Sequence, residues 1–171
     1  DGFDDFLIGA VWGGLYGQSY VIYGSSAGFA PSLELSSLLA VNGGDGTTGF
    51  VINGIDPGDD SGYSVASAGD VNGDGFDDII IGARRADPNG DRSGESYIVF
   101  GHDAGFSPSI ELSSLLAENG GDGTNGFVIN GIDAGDYSGR SVSSAGDING
   151  DGFDDILIGA WLANSNDGES Y

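Results

Sequence analysis

Cysteine is missing from the chain, which rules out disulfides and thiolate metal sites. Lysine is missing as well. Four arginines (Arg84, Arg85, Arg92 and Arg140) face 27 acidic residues, giving a formal charge of −23. Phosphate binding needs clustered Lys and Arg, so neither nucleic acid nor an anionic membrane suits this surface. The single histidine, His102, aligns with Ser25 in an internal repeat, which makes it a solvated loop residue and leaves no histidine metal site or catalytic triad within reach. No run of 18 apolar residues occurs, so no membrane-spanning helix is expected.

What is abundant is glycine, 34 residues of it, with 39% apolar residues. That balance suits many short strands joined by tight turns and does not suit long helices. The chain also repeats itself. Residues 19–78 align without a gap on 96–155, with 46 of 60 positions identical. A third, partial copy shows at both ends: Asp1–Ala10 matches Asp74–Ala83 and Asp151–Ala160, and Glu169-Ser170-Tyr171 matches Glu95-Ser96-Tyr97. The expectation is a piece of a longer repeat array, about two and a quarter repeats long.

The most informative element of each repeat is an acidic run. Asp70-Val-Asn72-Gly-Asp74-Gly-Phe76-Asp77-Asp78 returns as Asp147-Ile-Asn149-Gly-Asp151-Gly-Phe153-Asp154-Asp155. Oxygen-bearing side chains fall at loop positions 1, 3, 5 and 9, with glycine at 6. Alternate residues of a tight loop point inward and glycine permits the sharp turn, as a hard cation requires. The ligand set expected for Ca²⁺ is Asp70, Asn72, Asp74, the Phe76 carbonyl and Asp78, repeated as Asp147, Asn149, Asp151, the Phe153 carbonyl and Asp155. Oxygens in this number favour Ca²⁺ over Mg²⁺. Position 12 is Ile81 or Ile158, inside an apolar run, so an EF-hand and the helical cellulosome-type calcium repeat are both rejected. Asp77 and Asp154 are out of phase with the ligands and are expected in solvent or just beside them. Whether Asp1 and Asp5 belong to a third loop is left open. The weaker motif Asn119–Thr124, with its twin Asn42–Thr47, reads as a polar turn. More than half of the acids lie outside the metal loops, so bound calcium would leave the surface acidic.

Around the loop the pattern is all-β. Residues 63–69 alternate, 78–83 are continuously apolar and β-branched, and 96–101 and 127–132 supply two more strands. Residues 84–94 form a loop, and the long connection 102–126 holds at most one helical turn, near Glu111–Ala117. Four strands joined in antiparallel fashion describe a propeller blade, which must stack on its neighbours to bury both faces. The expected division is a partial blade over 1–60, a complete one over 61–137 and a partial one over 138–171. Glu34 and Glu111 are expected at the edge of the insert, and Arg84-Arg85 is expected to pair with Asp87 or Asp91. Trp12 and Trp161 are read either as recognition residues or as packing against a neighbouring blade.

The stretch Ser61–Asp70 through Asp78–Ala83, and equally Ser138–Ala160, resembles the FG-GAP repeats of the integrin α-chain β-propeller and its bacterial relatives. Two positions depart: Ser61 and Ser138 replace the phenylalanine before glycine, and Val11, Arg84 and Trp161 replace the proline after Gly-Ala. The resemblance implies a seven-bladed propeller with Ca²⁺ in the hairpin between the first two strands of several blades. It implies a non-catalytic extracellular or cell-surface module for adhesion, or for recognition of a protein or glycan. An accessory propeller of a secreted, phospholipase-like hydrolase and a structural surface-layer protein are the alternatives. Bare strand edges in so short a piece predict association with further blades or with copies of itself.

Overall fold

The computed structural model describes residues 2–163 and 169–170, so Asp1 and Tyr171 lie outside the described residues. The strands are β1 (Phe6–Ala10), β2 (Gln18–Ile22), β3 (Gly49–Asn53), β4 (Ser61–Gly69), β5 (Asp78–Ala83), β6 (Glu95–Val99), β7 (Ser109–Glu111), β8 (Gly126–Asn130), β9 (Ser141–Gly146), β10 (Asp155–Ala160) and β11 (Glu169–Ser170). They form β-propeller blades. The sheet β4-β5-β6-β8 is wholly antiparallel, β1-β2-β3 repeats its last three strands, and β9-β10-β11 repeats its first three. Short 3₁₀ turns lie at Leu35–Leu38, Ala40–Asn42, Leu112–Leu115 and Ala117–Asn119.

The apolar run of β5 shows why blades stack. Ile80 and Ile81 are both fully buried, on opposite faces. Ile81 joins Phe50, Ile52, Tyr97 and Leu112 in the cluster against the preceding blade. Ile80 joins Ala68, Ile98 and Ile158 in the cluster against the following one. Glycine sets how closely the sheets approach. A Cβ on Gly82 would lie 2.0 Å from the Gly139 carbonyl oxygen, and one on Gly9 would lie 2.1 Å from that of Gly62. The partners Gly62 and Gly139 have φ of +77° and +80°, a backbone shape that also favours glycine. The glycine of the Gly-Ala pair closing β1 and β5 is therefore a packing device.

One strand was not expected from the sequence. The insert between β6 and β8 reaches back to the preceding blade, where β7 adds to the outer edge of β3 in parallel, pairing Val51 with Ser109, Ile52 with Ile110 and Asn53 with Glu111. The Val51 N–H donates to the Pro108 carbonyl at 3.0 Å, and Asn53 Nδ2 donates to Glu111 Oε1 at 2.6 Å. Phe106 stacks on Phe50 with ring centroids 4.3 Å apart. Glu111 thus sits at the insert's edge, as expected, and there it holds two blades together.

Candidate metal centre

Each acidic loop is folded by its own first residue. The Asp70 carboxylate accepts the N–H groups of Gly73, Asp74 and Gly75 at 2.7, 3.0 and 2.8 Å. Asp147 does the same for Gly150, Asp151 and Gly152 at 2.7, 3.1 and 2.9 Å. Such donors stabilise the ionised form, and the amides, that of Gly152 first, hold the Asp147 carboxyl below its usual range. Asn72 Oδ1 accepts the Asp74 N–H at 2.9 Å and Asp74 Oδ1 accepts the Phe76 N–H at 2.9 Å. Asn149 and Asp151 repeat both contacts at 2.8 and 3.0 Å. Asn72 Nδ2 also donates to Asp74 Oδ2 at 2.9 Å, so two of the expected ligands touch each other.

The ninth position closes the loop against the sheet. Asp78 is fully buried, and its two carboxylate oxygens accept the N–H groups of Val71 and Gly101, at 2.9 and 2.8 Å. Burial raises its pKa, the two backbone hydrogen bonds oppose that, and the charges of Asp74 and Asp70 add to the rise. Asp5 accepts the Gly24 N–H at 2.8 Å in the same way, and Asp155 accepts the Ile148 N–H at 2.8 Å.

The donor chemistry suits a hard cation, since every candidate ligand offers oxygen and a carboxylate keeps lone pairs beyond those used by one or two amides. The side chains are arranged around loop amides, however. Among the described residues no three acidic side chains close on one point as a metal-holding group.

Asp154 does more than its phase suggests. Its N–H donates to the Asp70 carbonyl at 3.0 Å, and its Oδ2 accepts the Asp70 N–H at 2.9 Å, so it pins one acidic loop to the next. The Phe153 ring lies over Gly73, where a Cβ would come within 2.4 Å of it. No signal internal to one loop reveals these contacts, because the partner belongs to the neighbouring repeat. Asp77 is exposed, as expected. The motifs at Asn42 and Asn119 are polar turns, with Asp45 and Asp122 each accepting the N–H and hydroxyl of the threonine two residues on.

Arg84 and Arg85 both pair with Asp60, through Arg84 Nη2 at 2.9 Å and Arg85 Nε at 3.2 Å, and not with Asp87 or Asp91. The antiparallel register sets Ser61 opposite Ala83, which brings Asp60 beside Arg84. Arg84 also lies 3.7 Å over the Tyr63 ring. Trp12 is 87% exposed among the described residues, whereas Trp161 lies 4.2 Å beneath the Arg140 guanidinium. Away from the loops, Asp56, Asp59, Asp87 and Glu95 line a surface cavity of 810 Å³. Burial, then the charges of Asp56, Glu95, Asp87 and Asp60, push Asp59 up to about 6. Burial also raises Glu95, opposed by its hydrogen bond from Tyr97.

The sequence pattern of the FG-GAP repeat matches residues 61–99 and 138–171, the two stretches that hold the acidic loops. The chain carries FG-GAP repeats. Integrin alpha chains are among its relatives. Integrin alpha-4 of Xenopus laevis is 35% identical over 104 residues, which is 61% of this chain and 9% of that protein. Integrin alpha-3 of Mus musculus is 34% identical over 119 residues, 70% of this chain and 10% of that protein. Integrin alpha pat-2 of Caenorhabditis elegans is 31% identical over 102 residues, 58% of this chain and 7% of that protein. The FG-GAP chain thus spans a tenth or less of these relatives' length. Among its described residues no helix is long and apolar enough to cross a membrane.

Proposed function

We propose that this chain is a calcium-stabilised, non-catalytic β-propeller module of an extracellular or cell-surface protein, acting in adhesion or in recognition of a protein or glycan. The observation that carries the reading is the coincidence of FG-GAP repeats, shared with integrin alpha chains, and acidic loops built twice from the same five oxygen donors. Residues 61–137 are a complete blade in this reading, and 1–60 and 138–171 belong to neighbouring blades of a seven-bladed ring.

Ca²⁺ would be held by Asp70, Asn72, Asp74, the Phe76 carbonyl and Asp78, and by Asp147, Asn149, Asp151, the Phe153 carbonyl and Asp155. A bound ion supplies positive charge between the hairpin arms. The chain's own contribution is to pre-form the loop: Asp70 and Asp147 gather three amides each before any ion arrives. Extracellular sites of this type bind at about 10⁻⁴–10⁻³ M, which places a functional role where calcium is millimolar.

A thermal melt in millimolar Ca²⁺ against EGTA tests the proposal, with Asp74→Ala/Asp151→Ala as control. At the tight end of that range each site adds about 1.4 kcal/mol, so two sites raise the melting temperature by about 5–10 °C. A parent that does not respond, or a double variant that responds equally, overturns the calcium assignment.

A further inference from the structure

Both backbone polar groups of Asp70, the first candidate ligand of one acidic loop, are taken by a single residue of the next loop. The Asp154 N–H donates to the Asp70 carbonyl at 3.0 Å, and Asp154 Oδ2 accepts the Asp70 N–H at 2.9 Å. The fit is close, since a Cβ on Gly69 would fall 2.1 Å from that carboxylate oxygen. Beside it the Phe153 ring covers Gly73, whose N–H is one of the three that Asp70 gathers. Asp154 itself stands between the Phe153 carbonyl and Asp155, the last two candidate ligands of its own loop.

These contacts form one continuous path between the two ligand sets. The Phe153 carbonyl and the Asp154 N–H belong to the same peptide plane, and so do the Asp70 carbonyl and the Val71 N–H. The first plane donates to the second at 3.0 Å, and the second donates through Val71 to Asp78 Oδ2 at 2.9 Å. A candidate carbonyl ligand of one loop is thus joined through two peptide units to a candidate carboxylate ligand of the other. Fixing the direction of the Phe153 carbonyl fixes that of the Asp154 N–H, and through it the Asp70–Val71 peptide and Asp78. Polarising the first carbonyl also strengthens each donor along such a chain of hydrogen bonds.

We propose that, on the calcium reading of the loops, Asp154 is the positioning residue that couples them, so that an ion in either loop raises the affinity of the other. The order that the first ion imposes on Asp70 and Asp154 is order that the second need not impose, which is the physical source of positive cooperativity. Linkage makes the effect reciprocal: each site strengthens the other by the same factor, about fivefold or more for a coupling of ordinary size. Charge works the other way. The first ion makes a chain of −23 less attractive to the second, an effect that salt screens, whereas coupling through bonded contacts persists in salt.

Calcium titrations followed by ¹⁵N–¹H NMR at high salt read the loops separately, through the amides of Gly73 and Gly75 for one and of Gly150 and Gly152 for the other. Asp151→Ala, which disables the second loop, weakens calcium at the first about fivefold or more, and Asp74→Ala weakens it at the second by the same factor. Asp154→Ala removes the clasping carboxylate but no candidate ligand, and in that background the same two substitutions no longer weaken the surviving loop to that extent. Asp154→Asn keeps an oxygen that accepts the Asp70 N–H and retains the coupling, which separates the bond from the charge. Circular dichroism establishes that each variant is folded. Parent loops that each bind calcium with an affinity indifferent to loss of the other overturn the coupling and leave the calcium assignment standing. So does a coupling that Asp154→Ala leaves undiminished. A parent in which neither pair of amides responds to calcium overturns the calcium assignment, and the coupling falls with it.

Discussion

Replacing Gly82 by alanine is expected to be among the most damaging single-methyl additions in the chain, and the same change at Gly159 among the mildest. The two residues occupy the same place in successive repeats, and neither has the positive φ that would itself penalise alanine. Only the surroundings differ. At Gly82 the added Cβ falls 2.0 Å from the Gly139 carbonyl oxygen and 2.4 Å from Ser64 Oγ. The serine can rotate away but the backbone oxygen cannot, so the two sheets must part by about an ångström and loosen the cluster of Ile80, Ile98 and Ile158. Overpacking of this kind costs about 1–3 kcal/mol, and a rigid backbone partner points to the upper end. For a chain of this size that lowers the melting temperature by about 5–10 °C. At Gly159 the Cβ meets Ser141 Oγ at 2.3 Å and, among the described residues, then nothing closer than 3.7 Å, so a side-chain rotation relieves it. The cost there is within about 0.5 kcal/mol, offset in part by the stiffer unfolded chain. Thermal denaturation followed by circular dichroism reads both, with Gly9→Ala as a repeat of the costly case. Ile158→Ala, which empties a buried site in the same strand as Gly159, is the control that β10 reports on the transition, at about 2–5 kcal/mol. If Gly159→Ala and Gly82→Ala lose the same stability while Ile158→Ala is costly, the blade-spacing argument is wrong.

Asp59 ties stability to pH. Its folded pKa, about 6, lies above the unfolded value, so the folded state holds the proton more tightly and stability falls as pH rises between about 4 and 6. Allowing for partial solvent screening, the loss is about 1–2 kcal/mol, and Asp59→Asn should remove it, raising the melting temperature at neutral pH and flattening the profile in that window. A variant that tracks the parent from pH to pH speaks against the assignment. Asp60→Asn keeps a residue that tolerates the φ of +58° but strips the counter-ion from Arg84, itself only 16% exposed. The expected loss is about 3 kcal/mol in urea unfolding, with little dependence on salt because the pair is buried. A loss that vanishes in high salt would mark the pair as an ordinary surface one.

Strands and loops were legible where their signal is local. The run Asp78–Ala83 is apolar throughout because blades cover both of its faces, and the glycine-rich acidic loop dictates its own turn through the Asp70 carboxylate. What escaped the sequence depends on another repeat. Ser109–Glu111 is too short for a periodicity, and its partner strand lies in the preceding blade. Asp154 is out of phase with its own loop because it serves Asp70 of the previous one. Proximity in the sequence points Arg84 and Arg85 to Asp87 and Asp91, but strand pairing supplies Asp60, 24 residues upstream of Arg84. For the ligand oxygens, spacing gives the list of donors, while their present hydrogen bonds are set by backbone amides that no side-chain motif records.

The parallel clip also orders events in time. Asn53 closes the outer edge of its blade only by meeting Glu111, which stands 58 residues further along the chain. During synthesis, therefore, a blade whose own strands are complete still shows a bare edge until most of another repeat has emerged. The blade of β1–β3 is finished by its successor, so on the ribosome it stays the sticky one until Glu111 has emerged, and its maturation trails elongation by most of a repeat.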